Sequence, residues 1–297
     1  MSQKTAFVFP AFISEFTKKE LDFLSENNID FNNYLQRVSV ALEIDLPEFS
    51  YVSNNYNNEL KSQLLAYLFS CAFYDILEKK GIEPQFVAGY SMGIYASLYA
   101  SKSISLEEGA KFIYTAYTIV SKLTETKKFG MGAIIGLPIK DIKYLIEENA
   151  PDTEIINVNN EHSIVIAGKK KDINLVLERA KEEGAMSSIE LTVNTPYHSK
   201  YLLKYSESFQ KYISTIQICD AEIPIISTYD QREIVKVSEI KSELLFNLTS
   251  KINWYKTMQK LLTKDVSNIY ECGAGKDLKK ISRFIKGDYK MNSIYKI

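Results

Sequence analysis

A serine hydroxyl is a weak nucleophile until a base takes its proton, and this chain holds one serine set in a sequence suited to that chemistry. Gly89-Tyr90-Ser91-Met92-Gly93 follows the apolar run Phe86-Val87-Ala88 and precedes a small-residue stretch from Ile94 to Ala100. Strand, glycine-flanked serine and helix in that order predict a nucleophile elbow. The tight turn lifts the serine out of the sheet, and the two glycines let backbone and helix approach closely. The helix that starts there aims its free N–H groups at Ser91, which makes the Met92 N–H a candidate oxyanion donor. Two histidines are available as bases, His162 and His198. His162, in Asn159-Asn160-Glu161-His162-Ser163, reads as an exposed turn residue. His198, in Asn194-Thr195-Pro196-Tyr197-His198-Ser199, lies after a strand and before a helix and is the candidate base. Its separation from Ser91 by 107 positions is no obstacle, because folds assemble catalytic pairs.

Composition narrows the classes of function. In 297 residues, 36 basic and 37 acidic side chains leave a formal charge of −1, so nothing global calls for nucleic acid. Cys71, Cys219 and Cys272 are odd in number and lack C-x-x-C spacing, which argues against disulfides or a zinc site and suits buried thiols in a reducing compartment. No run of about eighteen apolar residues occurs. The expectation is a cytoplasmic protein with no metal, no permanently bound cofactor, no membrane partner and a monomeric state.

The elements that must position Ser91 and His198 follow from periodicity. Ala6 to Phe9 before Pro10 reads as a buried strand, Glu59 to Lys80 as a largely buried helix stopped by Gly81, Ile82 to Ala88 as the strand feeding the elbow, and Leu106 to Leu123 as a further helix. This is the β-α-β-α rhythm of a parallel sheet. After Gly130 the pattern changes to strand 131–136, helix 139–149, strands 155–159 and 163–168, helix 171–183 and strand 187–193, the order of a ferredoxin-like unit. A helix over 202–213, a strand at 223–228, a helix from about Leu244 and a last strand at 268–271 complete the reading. The fold class is therefore α/β. A large unit comprises 1–126 and 198–297, and a small one comprises 127–197.

The residues resemble the malonyl-CoA:acyl carrier protein transacylase family, which includes the acyltransferase domains of polyketide and fatty acid synthases. The resemblance runs through Phe7-Val8-Phe9-Pro10, Gln63, Gly81, Pro84, the Gly89–Gly93 elbow, Gly132 to Leu137, Asn157-Val158-Asn159, Val165 to Gly168, Tyr197-His198-Ser199, Pro224 to Ser227, Trp254 and Glu271-Cys272-Gly273-Ala274-Gly275. It implies an α/β-hydrolase-like core with a parallel sheet and an inserted ferredoxin-like subdomain, with the site in the cleft between them. It makes Ser91 the acylated nucleophile and His198 the base, the latter oriented by a main-chain carbonyl at Asn247, where a glutamine is usual. The oxyanion hole is the backbone of Met92 with Ala11 and Phe12, and the substrate pocket holds Gln63, Tyr90, Ala116 and Tyr197. The substrates implied are acyl-CoA or phosphopantetheine thioesters, and the partner is acyl carrier protein in fatty acid or polyketide biosynthesis.

Three departures qualify the resemblance. Ala11-Phe12 stands where the family has Gly-Gln. Ile94 stands where glutamate or histidine is frequent. Family members that use malonyl groups carry an arginine about 25 residues after the serine, which here falls at Ala116, and no arginine occurs between Arg37 and Arg179. A buried carboxylate without a cationic partner costs several kcal/mol, so an uncharged acyl group is expected, moved by double displacement through an acyl-serine. The alternatives are an acyl hydrolase that clears acyl carrier proteins, a malonyltransferase with an atypical carboxylate site, and a docking module without turnover.

Overall fold

Ala6 to Phe9 carry no polar side chain, and a segment of that kind must be covered on both faces. The computed structural model, which describes residues 4–11, 17–50, 56, 58–124, 128–193 and 195–297, buries all four in β1 (Lys4–Phe9). Two helices follow, α1 (Lys18–Glu26) and α2 (Phe31–Leu42), each started by a side-chain cap. Thr17 and Glu20 form a capping box on the first, and Asp30 accepts from the Asn32 N–H on the second. α3 (Glu59–Lys79) is capped by Asn58 and ends at Gly81, whose φ of 70° supplies the left-handed stop. β2 (Phe86–Gly89) then leads through the elbow into α4 (Gly93–Ala100), followed by α5 (Leu106–Thr124). The middle of the chain is β3 (Phe129–Ile135), α6 (Ile139–Asn149), β4 (Glu154–Asn160), β5 (Ser163–Lys169), α7 (Lys170–Glu182) and β6 (Ser187–Glu190). The return comprises α8 (Ser206–Thr215), β7 (Ile225–Ile226), β8 (Glu233–Ile234), α9 (Val237–Thr249), α10 (Trp254–Thr263), β9 (Val266–Glu271), α11 (Asp277–Ser282) and β10 (Lys290–Ser293).

The strands form two sheets. The larger has the order β10-β9-β1-β2-β7-β8, parallel throughout except for β8 at one edge. Alternation along β1 sends Phe7 and Phe9 into the apolar layer of α3, α4 and α5, and Ala6 and Val8 into the opposite layer around Trp254 and Met258 of α10. Helices thus cover both faces, the layering of an α/β-hydrolase-like core. The smaller sheet, β4-β5-β3-β6, is antiparallel and packs α6 and α7 on one face.

The smaller sheet is tied to the helical layer beside the larger one. Main-chain bonds run from the Ile252 N–H to the Ile156 carbonyl at 3.0 Å and from the Val158 N–H to the Ile252 carbonyl at 3.3 Å, and the Asn160 amide donates to the Ile281 carbonyl at 3.0 Å. β4 therefore leans on the segment between α9 and α10 and on α11. Among the described residues no helix is long and apolar enough to cross a membrane, and no group of histidine, cysteine and acidic residues could hold a metal.

Some expectations are corrected. The chain's last strand is β10, beyond the one expected at 268–271; its sequence, Lys-Met-Asn-Ser, has only one apolar residue and is held by parallel pairing to β9. The strand expected over 82–88 begins at Phe86, and that over 223–228 shrinks to two residues. The helix expected over 202–213 starts as a 3-10 turn at Lys200–Tyr205. Cys219 is exposed rather than buried, whereas Cys71 and Cys272 are buried, and all three are free.

The elbow glycines are required by contact. A Cβ on Gly93 would sit 2.1 Å from the Phe9 carbonyl oxygen, and one on Gly89 would sit 2.2 Å from the Gly93 carbonyl carbon. Gly93→Ala is expected to destabilise the fold by at least about 2 kcal/mol, since backbone must shift to admit the methyl group. Gly130→Ala, whose Cβ would meet nothing nearer than 3.8 Å, should change stability by less than about 1 kcal/mol. Urea unfolding of the two variants checks the contrast.

Candidate active site

Ser91 leaves β2 with φ at 53°, a left-handed conformation that costs a non-glycine residue about 1–3 kcal/mol and persists only when neighbours over-determine it. Here they do. The Tyr90 N–H donates to the Phe9 carbonyl at 2.9 Å, the Gly93 N–H to the Tyr90 carbonyl at 2.9 Å and the Ile94 N–H to the Ser91 carbonyl at 3.1 Å. The Asn247 side-chain amide donates to that same Ser91 carbonyl at 3.1 Å. Strand, helix and a distant helix end therefore all grip the turn. Among the described residues the Met92 N–H has no protein acceptor, and it begins α4, where the helix leaves its first N–H groups free. Ala11 is buried just past the end of β1. Phe12 lies outside the described residues.

His198 arrives from the other side of the chain with the same unusual backbone, at φ 61°. Its N–H donates to the Leu248 carbonyl at 3.0 Å, which ties the loop to the end of α9 beside Asn247. The two candidate residues meet: Ser91 Oγ and His198 Nε2 are 2.6 Å apart, both buried. Burial pushes the imidazole down to about 4, opposed more weakly by the Asn247 main chain. Nδ1 closes no hydrogen bond of proper geometry there. The ring is therefore neutral at pH 7, the state in which Nε2 can accept the serine proton.

Ser91 and His198 open into a cavity with about 20 Å³ of free space, room for roughly one water molecule. Gln63, Ala116, Tyr197 and Asn247 line it, as do Met92, Tyr95, Ile113 and Leu248. None of these side chains is cationic. Tyr90 is a correction: its side chain is absent from the cavity wall. The Tyr90 hydroxyl donates to Asn159 Oδ1 at 2.9 Å and accepts from the Asn157 amide, and its ring packs edge-on against Trp254 at 5.6 Å. The two asparagines of β4 draw it toward the smaller sheet. His162 is exposed in the hairpin turn between β4 and β5.

Tyr95, Ile113 and Leu248 were not anticipated from the sequence. Helical spacing could have found the first two, since Tyr95 lies four residues beyond Ser91 and Ile113 three before Ala116. The Asn247 amide contact to the elbow carbonyl had no sequence signal. Two larger hollows, about 530 and 660 Å³, lie among Lys276, Lys279 and Met291 and contain neither Ser91 nor His198.

Comparison with known proteins points the same way. The profile of the family described as "Acyl transferase domain" matches residues 55–261. The chain is 29% identical over 224 residues to the malonyl CoA-acyl carrier protein transacylase of Bacillus subtilis, covering 73% of this chain and 71% of that one. It is 27% identical over 296 residues to the enzyme of the same name from Staphylococcus aureus, covering 98% and 95%. Among solved structures, an acyl-carrier-protein S-malonyltransferase from Burkholderia pseudomallei superposes with a TM-score of 0.90 at 25% identity, over 99% of this chain and 96% of that one. FabD from Acinetobacter baumannii superposes with a TM-score of 0.88 at 26% identity, over 99% and 95%.

The depressed imidazole has two consequences. Its folded value lies below the unfolded 6.5, so the folded state binds fewer protons between the two. His198 therefore withdraws up to about 3 kcal/mol of stability as pH falls from about 6.5 to about 4. Reactivity follows the same limits: labelling of Ser91 by a fluorophosphonate should stay constant from pH 8 to below pH 6 and reach half its plateau near pH 4. A half-point near 6.5 would mean that the ring is solvated.

Proposed function

The chain belongs to the acyl transferase domain family and is an acyltransferase, and from that premise we propose that Ser91 and His198 carry acyl groups by double displacement. The observation that carries this reading is the buried 2.6 Å contact between Ser91 Oγ and His198 Nε2. Ser91 Oγ attacks the thioester carbonyl as its proton passes to His198 Nε2. The C–S bond breaks, and the leaving thiolate takes the proton back from the imidazolium. An incoming thiol then repeats the sequence in reverse: it gives its proton to His198, attacks the acyl-serine carbonyl, and Ser91 leaves and is reprotonated. Negative charge on the carbonyl oxygen in each half is met by the Met92 N–H and by the main chain at Ala11, just past the end of β1. Asn247 acts twice, its side-chain amide donating to the Ser91 carbonyl and its main chain raising the proton affinity of the imidazole.

The donor is an acyl-CoA or carrier-bound thioester and the acceptor an acyl carrier protein. The names of the Bacillus subtilis and Staphylococcus aureus relatives support this partner. On the division expected from the sequence, the large unit at 1–126 and 198–297 supplies both catalytic side chains, and the small unit at 127–197 contributes Tyr197 to the cavity wall. For the acyl group itself, the cavity favours a small uncharged one. Ala116 and its neighbours offer no cation, and a buried unpaired carboxylate costs several kcal/mol. A malonyl group is the second reading, favoured by the same relatives' names.

Intact-mass measurement after mixing the protein with acetyl-, malonyl- and longer acyl-CoA separates these readings. Acetyl is expected to leave a persistent adduct on Ser91 and malonyl little or none; faster loading by malonyl would reverse the assignment. Free acid released without an adduct would indicate hydrolysis. Ser91→Ala and His198→Ala should each lower transfer to a carrier protein by at least about 10³-fold.

A further inference from the structure

Glu59 is the first residue of α3, one helical turn before Gln63, and it does not touch the cavity itself. Its Oε1 accepts from the Gln63 amide at 3.2 Å and from the Tyr197 hydroxyl at 3.3 Å, and the Gln63 amide also donates to the Tyr197 oxygen at 3.3 Å. Gln63 and Tyr197 are buried wall residues of the cavity that holds Ser91. A glutamine amide nitrogen has two protons and a tyrosine hydroxyl one, so all three are committed to this triangle. Neither side chain has a proton left to offer an acyl group in the cavity.

We propose that Glu59 is a specificity-determining residue: it holds a carboxylate behind the cavity wall and draws the Gln63 and Tyr197 donors toward itself, which excludes carboxylated acyl groups. The inference rests on the acyl-serine reading above. An incoming carboxylate would meet two unfavourable conditions at once, a like charge one side chain away and a wall whose donors are already engaged. An uncharged acyl group meets neither. Among the described residues Glu59 has no ion-pair partner that would cancel its charge. Burial, the largest effect, holds its carboxyl above the usual carboxylate range, the hydroxyls of Tyr197 and Thr195 pull it back in part, and its place in the first turn of α3 favours the ionised form. Selectivity built from a repulsive element differs from selectivity built by deleting an attractive one, because here the discriminating group is present and can be removed.

The experiment compares initial rates of Ser91 loading from malonyl-CoA and acetyl-CoA, read by intact mass, in the full-length wild-type protein and in Glu59→Gln. The expected result is a malonyl-to-acetyl rate ratio at least about tenfold higher in Glu59→Gln, equivalent to about 1.4 kcal/mol. A purely structural role would slow both donors together and leave the ratio where it was. Glu59→Ala serves if Glu59→Gln does not fold. A ratio unchanged within about twofold in a folded variant overturns the inference and leaves the acyl-serine reading standing. A wild-type protein that loads malonyl as fast as acetyl overturns it together with the uncharged-acyl assignment, and leaves the acyl-serine reading standing. No adduct from any donor on the wild type, with acyl transfer absent, overturns the acyl-serine reading and this inference with it.

Discussion

Two residues in the left-handed region of backbone space, Ser91 and His198, face each other at 2.6 Å, and each depends on contacts from elsewhere in the fold to stay there. The elbow is held by β1 through Phe9 and by α9 through Asn247. The histidine loop is held by Leu248, the next residue of that same helix. The end of α9 is thus the common anchor of nucleophile and base. Strain at both positions adds to a cost of several kcal/mol, which the surrounding packing must offset. The sheet's two buried faces supply that rigidity.

The electrostatics of the site follow from desolvation rather than from paired charges. No carboxylate among the described residues acts on His198, so its proton affinity is governed by burial and by one main-chain carbonyl. The result is a ring that stays neutral well into acid. The same burial makes the cavity wall unforgiving of charge: Gln63, Tyr95, Ile113 and Tyr197 leave little room and no counter-ion.

Much of this was legible in the sequence, for identifiable reasons. The elbow could be read because only glycine fits at 89 and 93, where any Cβ would strike backbone. The smaller sheet and its helices could be read because their apolar residues alternate or recur at the period of a strand or helix. β10 could not be read, because a short polar edge strand is made by its neighbour rather than by its own residues. The two helices after β1 carried a signal that went unread, the Thr17–Glu20 capping box. Within the site, Ser91, His198, Gln63, Ala116 and Tyr197 were all legible and are brought to one cavity. Tyr90 was misplaced because its direction is decided by Asn157 and Asn159, more than sixty residues away, which no local pattern encodes. Glu59 was overlooked for the opposite reason: it looks like an ordinary first-turn acid whose role depends on a tyrosine 138 residues later.

The main-chain bonds between β4 and Ile252 bear on how cargo enters and leaves. Parting the two sheets like a clamshell would sacrifice both, along with the Asn160 tether to α11, at about 0.5–1.5 kcal/mol for each bond. Motions that keep these three bonds leave β4 docked on the chain that follows α9, the helix whose Asn247 and Leu248 hold the elbow and the histidine loop.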